Sequence, residues 1–217
     1  MSELTLIIGN KNYSSWSLRP WIWLKQAGVA FRERRVPLFT ETMERDLAPY
    51  FSNGKVPVLM DGDVSVWDSL SILEYLAERF PQAPGWPRDQ AARAMARSIG
   101  AEMHSSFFDL RNALPMNCRK RFPQYPVTPG VRADIDRIVS IWERAKTQHG
   151  QSGPWLFGRF CVADAMYAPV AFRLWGYDVP LKGVARDYVD HFLAQPAMRE
   201  WKAAGEAERE IIDEDEV

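Results

Sequence analysis

Residues 54–80 read GKVPVLMDGDVSVWDSLSILEYLAERF. Val56-Pro57-Val58-Leu59-Met60 and Val64-Ser65-Val66-Trp67 are apolar runs separated by Asp61-Gly62, and Asp-Gly between two such runs signals a β-hairpin. Asp68-Ser69 then stands where a helix N-cap belongs, ahead of Leu70, Leu73, Leu76, Ala77 and Phe80, which share one helical face. Pro81 ends that helix. Pro57 cannot donate to a central ladder, so it marks either an edge strand or a cis bond that turns the Val56 backbone N–H and C=O outward.

Toward the N-terminus the alternation of strand and helix continues. Leu4-Thr5-Leu6-Ile7-Ile8 is a buried-strand run closed by Gly9-Asn10. Ser17 to Ala27 reads as a helix with Pro20 in its first turn and Gly28 as its stop. Phe31 to Leu38 alternates as a second strand, parallel to the first across a right-handed crossover. Thr42 to Phe51 is a short helix or irregular segment closed by Asn53-Gly54. The order β-α-β-α-β-β-α predicts a small α/β domain over residues 1–80. Residues 81–88, PQAPGWPR, read as a linker. Beyond it strand signals stop. A long helix with Pro87 at N1 reaches about Ala113, and Thr128-Pro129 caps another that presents Val131, Ile135, Ile138, Val139 and Trp142. Val162 to Trp175, Val184 to Ala194 and Ala197 to Ala203 supply further helices, so residues 89–217 are expected to form an all-helical domain.

The chain of 217 residues carries 27 Lys+Arg against 28 Asp+Glu and is 47% apolar, an ordinary globular balance that excludes disorder. A net charge of −1 argues against a nucleic-acid binder. No apolar run approaches the roughly 20 residues of a membrane span, and MSELTLIIGN has no basic start of a signal peptide. Cys118 and Cys161 lie far apart without a CxxC pattern and read as free thiols, so a cytoplasmic protein is expected. His104, His149 and His191 lack metal-ligand spacing, so no metal is expected. The stretch 206–217, EAEREIIDEDEV, with seven acidic and one basic residue, reads as a solvated end, the alternative being that it folds back on the basic second half.

Asn12-Tyr13-Ser14-Ser15-Trp16-Ser17 lies between the first strand and the first helix. Its hydroxyls sit beside free backbone N–H groups at the positive end of a helix, a place that suits an anion, a thiolate included, unless Ser15 or Ser17 merely caps the helix. A Ser-His-Asp hydrolase is disfavoured, because no G-x-S-x-G elbow exists and no histidine is placed as its base. Asp68-Ser69 is either a plain cap or a cap that also receives a ligand carboxylate.

Taken together, these stretches resemble the glutathione transferase family over nearly the whole chain. GKVPVL matches its cis-proline turn before the third strand, and WDSLSILEYL its acidic-Ser motif for the γ-glutamyl end of glutathione. Phe157 to Ala165 resembles its N-capping box, with Cys161 where Ser or Thr is usual. YSSWSLRPW is similar to serine-type members, nearest the zeta-like bacterial group with an SS(C/A)-x-(W/Y)-R-V-R signature, although Trp16 replaces the small residue after the serines and Trp21 the second arginine. Both departures weaken the zeta-class isomerase reaction. Both cysteines lie outside the α/β half, which disfavours a cysteine-type transferase.

The resemblance implies a thioredoxin-like domain followed by a helical one, a homodimer, and glutathione as co-substrate with no metal. Ser15 or Ser14 would hold the glutathione thiolate, with Ser15 preferred because it is nearer the helix. Val56, before Pro57, would pair with the cysteinyl backbone, Asp68 and Ser69 with the γ-glutamyl end, and Lys55 or Asn53 would lie near the glycyl carboxylate. The electrophile, small and hydrophobic, would sit against Met103, His104, Phe107, Phe108 and Arg111 of the long helix, with Trp175 and Tyr177 as further candidates. A cis–trans isomerase acting on maleyl-type substrates, and a non-catalytic glutathione- or ligand-binding module, are the alternatives.

Overall fold

A computed structural model describes residues 3–217. Strands β1 (Leu4–Ile8), β2 (Arg32–Arg35), β3 (Val58–Asp61) and β4 (Val64–Trp67) form one sheet in the order β2-β1-β3-β4. β1 and β2 are parallel, with Ile8 opposite Arg35, while β3 runs antiparallel to both β1 and β4, with Leu6 opposite Leu59 and Val58 opposite Trp67. The Asp61-Gly62 hairpin is present as expected. β2 is shorter than the run 31–38, and all its side chains are exposed; it is an edge strand, RERR, whose charged side chains leave only the following Val36 to enter the core.

Helix α1 (Ser15–Gln26) packs between the sheet and the second half, and Leu18, Trp21, Ile22, Trp23 and Leu24 are all buried. It begins two residues earlier than expected, so Pro20 lies inside it rather than in its first turn and removes the N–H that would reach the Trp16 carbonyl. α2 (Met43–Leu47) and a 3₁₀ turn (Ala48–Tyr50) lead to β3, and the Val56-Pro57 bond is cis. α3 (Ser69–Arg79) is capped by Asp68, which accepts from Leu70 N at 2.9 Å and Ser71 N at 3.1 Å.

The second half is helical: α4 (Gln90–Ser105), α5 (Phe108–Ala113), α6 (Pro129–His149), α7 (Val162–Gly176), α8 (Gly183–Ala194) and α9 (Pro196–Ala207). The single helix expected from Pro87 to Ala113 is two. Asp89 rather than Pro87 caps α4, and the chain breaks at Phe107, which takes a left-handed φ of 65°. The break leaves carbonyls free, and Arg111 takes them: its guanidinium donates to Ser106 O at 2.9 Å and to Met103 O. Asp134 on α6 accepts from Leu110 N at 2.9 Å, supporting the first turn of α5. α7 is buried on every face, as befits a helix at the centre of the molecule, and α1, α4 and α8 all pack on it. One hydrophobic cluster runs from Leu6 on β1 through α1 and α7 to Trp201 on α9, so the two halves share a core.

The acidic end is not solvated. Beyond α9 it turns back over both halves: Glu210 pairs with Arg35 of the first at 2.7 Å, and Glu216 pairs with Arg119 of the second at 3.3 Å and with Lys120. Of the seven carboxylates in the stretch 206–217, Glu208, Glu210 and Glu216 pair with a basic surface built by both halves, not by the second half alone.

Candidate functional site

The turn between β1 and α1 is held from several sides. Asn10 O accepts from Tyr13 N at 3.2 Å and Ser14 N at 2.8 Å, which bends the chain from strand into helix. The Glu208 carboxylate, just past α9, accepts from Lys11 N at 2.8 Å and Asn12 N at 3.0 Å. A Cβ on Gly205 would stand 3.1 Å from Asn12 N, so glycine is what lets α9 approach this backbone. Asn12 Oδ1 accepts from Arg119 N at 2.9 Å, and the Tyr13 hydroxyl joins Arg119 and Glu216. Burial pushes the Glu216 carboxyl up, but hydrogen bonds from Lys120, Tyr13 and Asn117 win and hold it at about 2.

On this platform Ser14 is the N-cap of α1, not Ser15 or Ser17. Its Oγ accepts from Ser17 N at 3.4 Å and lies 2.7 Å from Ser17 Oγ, which in turn accepts from Gly9 N at 3.1 Å. Ser15 is the first helical residue. Its Oγ accepts from Arg173 Nη2 at 3.3 Å, and its O–H proton has no acceptor among the described residues. Ser69, at the start of α3, has the same arrangement: its Oγ accepts from Arg19 Nη1 at 3.2 Å, leaving its O–H to donate elsewhere. Each serine therefore has a guanidinium at its lone pairs and a hydrogen turned away from that charge.

Three arginines converge here. Arg19 and Arg173 are buried and Arg111 is half-buried, and none makes an ion pair with a carboxylate among the described residues. Burial lowers the pKa of all three, to about 10 for Arg111 and Arg173, and their mutual repulsion adds to it for Arg19 and Arg173. Arg19 and Arg111 both lie over the Trp16 ring, at 4.3 and 4.8 Å from its centroid. His104 meets Trp16 edge-on at 5.5 Å and places Nε2 at 3.1 Å from Asp68 Oδ2. Burial lowers its pKa, and Arg19 and Arg111 push the same way against Asp68, so the imidazole is neutral at pH 7 and this contact is a hydrogen bond.

The structure thus brings Ser14, Ser15, Asp68, Ser69, His104 and Arg111 into one region. Val56 is half-buried ahead of the buried Pro57, with Asn53 and Lys55 exposed on the approach to β3. Met103 and Phe107, expected to face the electrophile, are instead buried in the core, on the inner side of α4 and at the break. Phe108 is exposed, Trp175 packs under Arg121 and Lys202, and Tyr177 stacks on Phe122 and donates to Pro115 O at 3.1 Å. Among the described residues no His, Cys, Asp or Glu cluster is placed to hold a metal, and no helix is long and apolar enough to cross a membrane.

Residues 13–79 match the glutathione S-transferase N-terminal domain. The chain is 34% identical to glutathione S-transferase 1 of Dianthus caryophyllus over 48% of its own length and 46% of that protein's. A probable maleylacetoacetate isomerase of Caenorhabditis elegans is 35% identical over 45% of each. The chain thus spans about half the length of these two relatives, whereas a stringent starvation protein A homolog of Haemophilus ducreyi is 22% identical over 90% of this chain and 91% of its own. A crystal structure of a glutathione transferase homolog from Burkholderia BGR1, with bound glutathione, superposes with a TM-score of 0.67 over 94% of this chain and 98% of that one, at 26% identity. Residues 13–79 thus carry a glutathione S-transferase N-terminal domain.

The site has features that the sequence alone does not reveal. Arg19 lies inside the quoted YSSWSLRPW stretch but does not announce that it reaches Ser69. Arg173 had a signal: it is the lone charge in the apolar run AMYAPVAFRLWG, residues 165–176, and a buried arginine in such a run needs a partner. Glu208 and Glu216 were hidden in a stretch that composition reads as solvent-exposed.

Proposed function

We propose that this chain is a glutathione S-transferase that binds glutathione as a thiolate at Ser15 and transfers it to a small electrophile. The observation that carries the reading is the pair of serine–arginine contacts, Arg173 to Ser15 at 3.3 Å and Arg19 to Ser69 at 3.2 Å. A free thiol with pKa near ~8.5 is mostly protonated at pH 7. A hydrogen bond to the ionised form is worth about 1.5–3 kcal/mol, which takes the thiol to about pKa 6.5–7.5. Ser15 supplies that bond with its free O–H, Arg173 makes the hydroxyl a better donor, and the N-terminus of α1 adds its positive potential. Ser69 would donate in the same way to the γ-glutamyl carboxylate, with Asp68 beside the ammonium. The Val56 backbone would pair with the cysteinyl unit, and Lys55 or Asn53 with the glycyl carboxylate. Ser14 is left a structural role.

The likeness to a maleylacetoacetate isomerase supports a second reading. There the same thiolate adds to a maleyl double bond, the bond rotates, and the thiolate leaves, so glutathione is regenerated; turnover without glutathione loss separates the two. A homodimer through α3 and α4 belongs to the proposal, and sedimentation as a single 24.9 kDa species would refute it.

The test is the ultraviolet thiolate absorbance of glutathione titrated with protein at pH 7. A saturating band is expected in the wild type, with Ser15→Ala losing it and losing about 10–100-fold in kcat/KM. No band in the wild type sinks the thiolate reading and leaves a non-catalytic binding module.

A further inference from the structure

Once glutathione is in place, positive charge is left over. Arg19 and Arg173 are engaged with the two serines, but Arg111 is not. Its Nε and one terminal nitrogen are anchored on the carbonyls of Ser106 and Met103, which fixes the guanidinium over Trp16, 4.8 Å from the ring centroid. The other terminal nitrogen, Nη1, has no protein partner among the described residues. Trp16 itself, next to Ser15 in the chain, is 37% exposed.

Three carboxylates face the cluster. Asp68 is taken by two backbone N–H groups and His104, Asp134 accepts from Leu110 N, and Asp215 reaches Arg173 only at longer range. None pairs with an arginine. Bound glutathione brings its thiolate and its γ-glutamyl carboxylate to two of the three guanidinium charges, while Asp68 is taken by the glutathione ammonium, so one charge remains. Buried and half-buried arginines are ordinarily paired, and Arg19 Nε, fully buried, has no hydrogen-bond partner among the described residues. The helix-end carbonyls that Arg111 and Arg173 cap carry only partial charge and do not replace a carboxylate.

We propose that the electrophile is an anion: a small molecule that carries a carboxylate, held by Arg111 with Arg173 beside it, and whose apolar body lies on Trp16. The inference rests on the transferase reading and narrows it from hydrophobic electrophiles in general to carboxylated ones. Planar, two-pronged donation makes arginine suited to a carboxylate. The bond chemistry is unchanged. The thiolate sulfur forms the S–C bond, the carbon–halogen bond breaks, and halide leaves with the electron pair while the carboxylate stays intact.

The experiment compares glutathione conjugation of 4-chloro-3-nitrobenzoate with that of 4-chloro-3-nitrobenzamide, each rate divided by its uncatalysed rate. The acid is expected to be favoured in kcat/KM by at least about tenfold. Arg111→Gln should bring the acid-to-amide ratio to about one, and Arg111→Lys, which keeps the charge, should retain most of it. A wild-type ratio near one, or a ratio unchanged in R111Q, overturns the proposal. The thiolate band measured on the same samples keeps the two readings apart: band present with no acid preference refutes only the anion site. If no band forms, calorimetric titration with 3-nitrobenzoate alone decides, since binding by the wild type that R111Q loses supports the site and no binding refutes it.

Discussion

Two helix N-termini in this molecule, those of α1 and α7, begin alike and end differently. At α7 the cap residue Cys161 is followed by Asp164, whose carboxylate is fully buried and accepts from Cys161 N at 2.9 Å, Leu156 N at 3.2 Å and the Tyr188 hydroxyl at 2.9 Å. Those donors are all satisfied inside the protein. At α1 the cap residue Ser14 is likewise satisfied, but Ser15 keeps a free proton and the neighbouring arginines have no anion. Both ends attract negative charge through the helix dipole. One has it built in, and the other leaves a place for it. Completeness of local pairing, more than the presence of a cap, separates a structural helix end from a binding one.

The largest effect should come from breaking the complete end. Asp164→Ala strands three buried donors, each costing about 1–3 kcal/mol, and should destabilise the protein by about 3 kcal/mol or more. For a chain of this size that lowers Tm by about 6–12 °C in calorimetry. Asp164 also predicts a pH signature. Burial raises its pKa to about 6, so the folded state binds this proton more tightly than the unfolded chain does. The group's contribution to stability is therefore full below the ordinary carboxylate value and declines as pH rises from about 4 to about 6. The D164A variant should lack that slope. A loss under about 1 kcal/mol would mean that water or a shifted helix end takes over the three donors, and the contrast with α1 would weaken.

A smaller and sharper comparison sets Ser14 against Ser15. Ser14→Ala removes a cap and should cost about 1 kcal/mol, a fall of about 2–4 °C in Tm, with the glutathione thiolate band retained. Ser15→Ala should do the reverse, removing the band with little change in Tm. If S14A loses the band, the two hydroxyls have exchanged the roles given to them here.

Much of the fold could be read in the chain because its signals are local. The Asp61-Gly62 turn, the Asp68 cap and the Thr128-Pro129 helix start all specify their own geometry within a few residues. What failed was set at a distance. The break at Phe107 is stabilised by Asp134, and the fold-back after α9 by Lys11, Asn12, Arg35 and Arg119, none of which is a sequence neighbour of the segment it fixes. The candidate site divides in the same way. Ser14, Ser15, Asp68 and Ser69 stood out by type and position, whereas Arg173 enters from α7, 158 residues after Ser15, and only folding brings it there. Met103 and Phe107 were misplaced because an apolar stripe at helical spacing reads equally as cleft or core.

The smallest expected effect returns to α7. A thiol is a poor hydrogen-bond acceptor, so Cys161 caps less well than the serine or threonine usual in such a box. Cys161→Ser should gain about 0.5–1 kcal/mol, a rise of about 1–4 °C in Tm, because the hydroxyl can accept from the Asp164 amide while donating to its carboxylate. Cys161 is 4% exposed and burial pushes its thiol well up, so no reactivity is lost with the sulfur. Against the gain stands packing, since sulfur is larger than oxygen and Cys161 is buried in the core. A fall in Tm would show that packing outweighs the hydrogen bond. The end of α7 would then be built for close fit first, and its contrast with the open, charged end of α1 would rest on packing as much as on pairing.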